Sequence, residues 1–206
     1  MKFDSIIFDL DGTLWNTLTA CTNGWNDGLK SLGIPKSIST NDLKSVVGNP
    51  WNICAEILFP VFTKKYNNLF ETLDFYERKA ITTKGGTFYE GMIDGIRTLS
   101  NNYKLFIISN CQEWYIKEFF KQSKIEKYLQ DYNCYGLSLL PKSEMINDVV
   151  KKHILLNPIY IGDTAGDQNA AEFAEIDFIH ATWGYGHPKK ECLAFDSFSE
   201  LTTYFT

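Results

Sequence analysis

Two kinds of hydrophobic pattern alternate along this 206-residue chain. Residues 4–9, 104–109 and 159–163 are short, nearly unbroken apolar runs rich in Ile, Phe and Tyr, and weaker runs cover 131–135 and 177–181. Runs that do not alternate with polar residues predict strands buried on both faces. Separated by helical spacing, they predict a parallel sheet covered by helices. From about residue 16 to 84 the period changes. Trp25, Leu29 and Leu32, then Ile53, Ile57 and Leu58, then Leu69, Leu73 and Tyr76 recur at helical spacing, punctuated by Gly33-Ile34-Pro35, Gly48-Asn49-Pro50 and Gly85-Gly86. This stretch predicts a small all-helical insertion after the first strand, and a helix through Ile96 and Leu99 then leads back to the sheet.

Composition narrows the function classes. A formal net charge of −5, with lysine pairs only at 64–65, 151–152 and 189–190, offers no basic footprint for nucleic acid or an anionic membrane. Five cysteines without a CxxC pair read as reduced thiols of a cytoplasmic protein rather than a disulfide frame. The opening Met1-Lys2-Phe3-Asp4 reads as neither a signal peptide nor a membrane span.

In open α/β sheets, ligands bind beyond the carboxyl ends of the strands. Asp9 and Asp11 stand there in Phe8-Asp9-Leu10-Asp11-Gly12-Thr13. In extended chain, residues two apart point to the same side, which would set both carboxylates over one volume. Like charges so placed need a cation or a proton to offset them, which points to a divalent metal, a covalent nucleophile or both; an acidic turn is the simpler alternative. The second long run ends at Ser109-Asn110, whose hydroxyl, amide and backbone N–H groups could hold phosphoryl oxygens. The third ends at Gly162-Asp163, with Asp167 four residues on, and three or four converging oxygens would suit Mg²⁺. Lys142, in Pro141-Lys142-Ser143, could neutralise such a cluster and hold a phosphate as a point charge.

Four ordered motifs, Asp9-Leu10-Asp11-Gly12-Thr13, Ser109-Asn110, Lys142 and Gly162-Asp163-Thr164-Ala165-Gly166-Asp167, span nearly the whole chain. With the segment Thr182-Trp183-Gly184-Tyr185-Gly186 they resemble the haloacid dehalogenase-like hydrolase superfamily, in its phosphoglycolate phosphatase-like branch. The resemblance implies an α/β, Rossmann-like parallel-sheet core over residues 1–15 and 85–206, with a helical cap over 16–84. It implies Asp9 as the nucleophile that forms an aspartyl phosphate and Asp11 as general acid, then base. Mg²⁺ would be held by Asp9, the backbone carbonyl of Asp11 and Asp163, with Asp167 as ligand or support. Ser109, Asn110 and Lys142 would bind phosphate.

Three positions depart from the branch's pattern. Asn16-Thr17 replaces an acidic residue followed by serine, and Asn16 is expected to cap a helix. Glu90-Gly91 replaces Pro-Gly. Lys142 lies outside the usual Lys-Pro context, with Lys151 and Lys152 as rivals. The loop 46–51 resembles the cap's substrate-facing segment, which makes Gly48, Asn49 and Trp51 specificity candidates. Trp15 and Trp25 are expected to pack cap against core or to line the cleft mouth, and His153, His180 and His187 to be surface or structural residues. The expected protein is a Mg²⁺-dependent phosphatase of a small phosphorylated metabolite, a monomer or weak dimer with no nucleic-acid or membrane partner. A sugar phosphomutase of the β-phosphoglucomutase type is the alternative within the superfamily. A catalytically silent phosphate-binding or regulatory module is the alternative outside enzymes.

Overall fold

The computed structural model describes residues 2–206. Along the chain run β1 (Ser5–Phe8), β2 (Trp15–Asn16), α1 (Leu18–Ser31), α2 (Thr40–Lys44), α3 (Trp51–Leu58), α4 (Phe62–Lys65) and α5 (Leu69–Lys84). There follow β3 (Thr87–Phe88), α6 (Met92–Leu99), β4 (Lys104–Ser109), α7 (Glu113–Ser123), β5 (Asp131–Cys134), α8 (Tyr135–Ser138) and α9 (Lys142–His153). The chain closes with β6 (Pro158–Gly162), α10 (Ala165–Phe173), β7 (Asp177–Ala181), β8 (Leu193–Phe195) and α11 (Phe198–Phe205). Contacts divide it into two compact units, residues 1–16 with 88–206, and residues 17–87.

The first unit is an α/β fold around a six-stranded sheet in the order β5-β4-β1-β6-β7-β8, parallel throughout. The unbroken apolar runs become its strands because both faces are covered: every residue of β1 and of β6 is buried. On one face Ile7, Phe106, Ile108 and Tyr160 pack with Met145, Ile146 and Val149 of α9 and Ala170 and Ala171 of α10. On the other, Phe8 stacks on Phe198 of α11, ring centroids 5.9 Å apart. In register, Ile6, Ile7 and Phe8 face Leu105, Phe106 and Ile107 on one side and Ile159, Tyr160 and Ile161 on the other, so β1 ends first, β6 one residue and β4 two residues beyond it. The sixth strand, β8, is an addition to the five runs legible in the sequence.

The second unit is all-helical. Trp25 and Leu29 of α1 and Leu69, Leu73 and Ile81 of α5 form its interior, and Trp25 meets Trp51 and Phe59 at ring distances of 5.6 and 5.8 Å. Trp25 is thus a core residue of its own unit. Trp15 likewise packs inside the first unit, against Phe88, Tyr115 and Phe119. Asn16 does not cap α1: Thr17 stands at the cap position, and the Asn16 side-chain oxygen instead accepts a hydrogen bond from the Tyr185 hydroxyl at 3.1 Å. Among the described residues no helix is long and apolar enough to cross a membrane.

Candidate active site

Strand β1 stops at Phe8, and the chain turns at once. The Asp9 N–H still donates to Ile161 of β6 at 2.8 Å, whereas the N–H groups of Thr13, Leu14 and Trp15 all converge on the carbonyl of Leu10. The extended geometry that would have aimed both carboxylates the same way is therefore lost between Asp9 and Asp11. Asp9 is buried among acids, and Asp11 is partly exposed and receives the hydroxyl of Tyr115 from α7. The turn needs glycine at its centre. Gly12 has φ +83°, and a Cβ there would lie 2.1 Å from a carboxylate oxygen of Asp163.

The three carboxylates of Asp9, Asp163 and Asp167 offer oxygens that all lie within 4.8 Å of one another, and all three residues are buried. Asp163 follows the last residue of β6. Its Oδ2 accepts the Tyr185 N–H at 2.6 Å, and the Thr13 hydroxyl lies 3.4 Å from its Oδ1. Asp167 sits in the first turn of α10 in a capping box: its Oδ2 accepts from the N–H and hydroxyl of Thr164 at 3.0 and 2.6 Å, and its own N–H donates to the Thr164 hydroxyl at 3.2 Å. Gly162 allows this approach, since a Cβ there would come within 2.6 Å of the Asp167 side chain.

Lys142 opens α9, and its Nζ donates to Asp9 Oδ1 at 2.7 Å and to Asp167 Oδ1 at 2.6 Å. Of the three lysines weighed for this place, it is the one that reaches the acids. Lys151 is exposed, and Lys152 pairs with Asp131. Both oxygens of Asp167 are thereby engaged, whereas Asp9 keeps Oδ2 beyond its contact with Lys142.

Burial first, and then the Asp167 carboxylate, pushes the Asp9 carboxyl well above its ordinary range, with Lys142 pulling the other way. Burial and Asp167 likewise raise Asp163 to about 7, against the opposing N–H of Tyr185. Burial alone would depress the Lys142 ammonium, but Asp167 and Asp9 outweigh it and hold the group well above its ordinary value. The ammonium is the fixed charge of the cluster. Three carboxylates face it, so full ionisation of all three leaves an excess of two negative charges unless another cation joins.

Ser109, the last residue of β4, is buried, and its Oγ accepts the Cys111 N–H at 3.2 Å. Asn110 follows it, half-buried. Gly48, Asn49 and Trp51 belong to the second unit. Gly48 has φ +99°, the Asn49 amide donates to the Val46 carbonyl at 2.8 Å, and the Trp51 indole N–H donates to the buried Glu77 carboxylate. Trp51 also meets Phe70 at a ring distance of 6.0 Å, so its position is explained by packing within that unit. His153 pairs with Asp131 at 2.8 Å, and among the described residues no histidine joins the acid cluster.

Several neighbours of the site escaped the sequence reading. Tyr115 holds Asp11, and the Tyr160 hydroxyl bonds the Ile108 carbonyl at 3.0 Å beside Asp167. Trp183 donates its indole N–H to the Thr13 carbonyl at 3.0 Å, tying the 182–186 segment to the Asp9 turn. The signals present were modest: Tyr115 lies in the first helical turn after Ser109-Asn110, and the 182–186 segment had been singled out only as a stretch.

The family model described as haloacid dehalogenase-like hydrolase matches residues 6–181. A phosphoglycolate phosphatase of Aquifex aeolicus is 25% identical over 185 residues, which cover 87% of this chain and 85% of that one. One of Rhodobacter capsulatus is 27% identical over 190 residues, 88% and 85% of the two chains. Among solved structures, a predicted phosphoglycolate phosphatase of Haemophilus somnus superposes with a TM-score of 0.85 at 20% identity, over 100% of this chain and 99% of that one. A haloacid dehalogenase-like family protein of Streptococcus pneumoniae gives 0.82 at 23% identity, with the same coverage.

Proposed function

We propose that this chain, which belongs to the haloacid dehalogenase-like hydrolase family, is a Mg²⁺-dependent phosphatase of small phosphomonoesters that works through an aspartyl phosphate. The two curated relatives, both phosphoglycolate phosphatases, support the reaction class. The observation that carries the reading is the buried set at the strand ends: Asp9, Asp163 and Asp167 around the single ammonium of Lys142.

The donor set fits a hard divalent cation. The oxygens are carboxylates, and burial, with the like charge of Asp167 added to it, raises both Asp9 and Asp163, a cost that a bound cation would offset. Asp9, Asp163 and the backbone carbonyl of Asp11 would hold the ion, with Asp167 as support, since Lys142 and Thr164 already engage both of its oxygens. Bound there, Mg²⁺ would supply charge neutralisation at the transferring phosphoryl group.

The chain's own groups divide the remaining work. Asp9 attacks phosphorus through an oxygen, and the bond from phosphorus to the ester oxygen breaks. The Asp11 carboxyl gives its proton to the departing alkoxide, then takes one from the water that cleaves the acyl phosphate. Tyr115, bonded to Asp11, orients that carboxyl. Lys142, the Ser109 hydroxyl and Asn110 carry the phosphoryl oxygens. The helical unit is the cap of this reading, and Gly48, Asn49 and Trp51 are its specificity candidates. The five free thiols suit a cytoplasmic protein, and a monomer or weak dimer is proposed.

Purified protein with Mg²⁺ is expected to release phosphate from p-nitrophenyl phosphate or from one of a panel of phosphorylated metabolites, and Asp9→Asn to abolish turnover. Undiminished hydrolysis by the Asp9→Asn protein would sink the mechanism. Transfer of the phosphoryl group to a second sugar carbon in place of water would mark a mutase.

A further inference from the structure

Two cysteines lie directly behind the phosphate-binding loop, and the proposed reaction uses neither. Cys111 follows Ser109-Asn110, and Cys134 ends β5, where its register partner in β4 is Ser109. Both are buried, and the Cys111 carbonyl accepts the Gly136 N–H at 3.0 Å. The backbone around Gly136 is pressed against the same loop, for a Cβ there would meet the Glu113 nitrogen at 2.6 Å and the Gln112 Cα at 2.8 Å. In this frame the two thiols are neighbours, and each shifts the other: burial first and then Cys134 push Cys111 upward, and Cys111 draws Cys134 downward. Adjacent strand ends, a backbone bond from Gly136 to Cys111 and neighbouring thiols are conditions under which a disulfide forms with little backbone movement.

We propose that Cys111 and Cys134 form a reversible dithiol–disulfide pair, oxidised by hydrogen peroxide, whose disulfide state shuts down the phosphatase reaction. The Cys134 sulfur is the attacking group, because the neighbouring Cys111 thiol holds it below the ordinary thiol range while burial opposes that shift. Its thiolate attacks one peroxide oxygen, the O–O bond breaks, and the products are Cys134 sulfenic acid and, once protonated, a molecule of water. The Cys111 sulfur then attacks Cys134, gives up its proton, and displaces hydroxide, which leaves as a second water. Two thiols lose two protons and two electrons, and one peroxide takes them up to become two waters. A dithiol reductant reverses the bond by exchange.

The link to activity runs through the loop 110–112. Drawing the two sulfurs together to a bond of about 2.05 Å moves Cys111. The Cys111 N–H holds the Ser109 hydroxyl at 3.2 Å, and the next residues open α7, whose Tyr115 holds Asp11. One displacement therefore disturbs a phosphate ligand and the acid–base group together.

The effect on turnover rests on the phosphatase reading; the crosslink does not. Reduced full-length protein with Mg²⁺ is freed of reductant and titrated with hydrogen peroxide, then followed by p-nitrophenyl phosphate hydrolysis and by peptide mass mapping under non-reducing conditions. Expected are a linked Cys111–Cys134 peptide lacking two hydrogens, a matching loss of turnover of roughly tenfold or more from misplacement of the site, and recovery with dithiothreitol. Cys134→Ser and Cys111→Ser, each normalised to its own reduced rate, are expected to resist peroxide, while Cys192→Ser stays sensitive. The absence of the linked peptide overturns the proposal, and so does a linked enzyme that keeps its rate. Failure of the reduced enzyme to hydrolyse any phosphoester defeats the phosphatase reading instead and leaves the crosslink to be read by mass.

Discussion

Replacing Lys142 by methionine isolates the electrostatics of the site. Methionine keeps most of the buried aliphatic stem and deletes only the ammonium, which is 2.7 Å from Asp9 and 2.6 Å from Asp167. All three side chains are nearly or fully buried, so solvent screening is small. Breaking a buried pair by removing one partner typically costs about 3–5 kcal/mol, because the remaining charge is left without an offset. Here the remaining charges are carboxylates that can take up protons. Asp9 already sits well above the ordinary range and Asp163 at about 7, so protonation relieves the strain as pH falls through that region. A group whose folded pKa is raised above its unfolded value binds more protons when folded, and such an acid loses stability as pH rises. Lys142→Met is therefore expected to lose about 3–5 kcal/mol at pH 8 in the absence of divalent metal, and clearly less at pH 5. Urea unfolding at the two pH values, with the midpoint shift multiplied by the slope, reads the difference directly. A variant equally stable to the parent at pH 8, or one whose loss does not shrink at pH 5, would refute this account of the cluster.

Three further outcomes follow from the same geometry. Unfolding of the parent in a chelator should show stability falling from pH 4 to 7: raising Asp163 from 3.8 to about 7 is worth about 4 kcal/mol once ionisation is complete. Mg²⁺ should then raise Tm more at pH 8 than at pH 5, and an equal shift at both would contradict it. Gly12→Ala, at φ +83° with its Cβ 2.1 Å from an Asp163 oxygen, should destabilise by about 3 kcal/mol or more. A urea midpoint matching the parent's would mean that the turn relaxes freely. Tyr115→Phe, which removes the hydroxyl on Asp11, should lower kcat about tenfold at nearly unchanged KM and displace the acid limb of the pH–rate profile. An unmoved profile would leave Tyr115 a packing residue only.

The elements most legible in the sequence were those whose environment is uniform along their length. The 104–109 run is β4 residue for residue, and the first run, read as 4–9, becomes Ser5–Phe8. Burial on both faces makes the middle of such a strand apolar without alternation, as in Ile6-Ile7-Phe8 and Leu105-Phe106-Ile107-Ile108, so the run announces itself. Strand β8 carries no such mark, because its three residues lie on the sheet edge and are mostly exposed. Asp9 and Asp11 would point to one side only in chain extended through residue 11, and three N–H groups on the Leu10 carbonyl turn the chain before that. Lys142 looked like any surface lysine; only the ordered motifs marked it, since nothing local distinguishes a lysine at a helix start facing acids from one facing water. Tyr115 and Tyr160 were hidden for the opposite reason. Buried aromatics are the common currency of cores, and a hydroxyl turned toward a carboxylate leaves no trace in periodicity.

The placement of the site explains why so few residues suffice. Asp9, Ser109 and Asp163 each stand at the end of, or one residue beyond, three neighbouring strands whose register is fixed over their whole paired length. Asp9 remains bonded to Ile161 after β1 has ended, and Asp167 is locked by its own capping box. The helix that delivers Lys142 is packed on the sheet through Met145, Ile146 and Val149, so the ammonium inherits the same reference frame. Side chains held by rigid elements need little adjustment to act together, and repositioning by as little as about an ångström can lose on the order of 10²-fold in rate. Volume changes at Ile7, Phe106 or Tyr160, beneath the acids, should then affect turnover as well as stability. The loop 110–112 joins Ser109 of β4 to the helix that carries Tyr115, so a sulfur–sulfur bond at its edge would reach both Ser109 and Asp11.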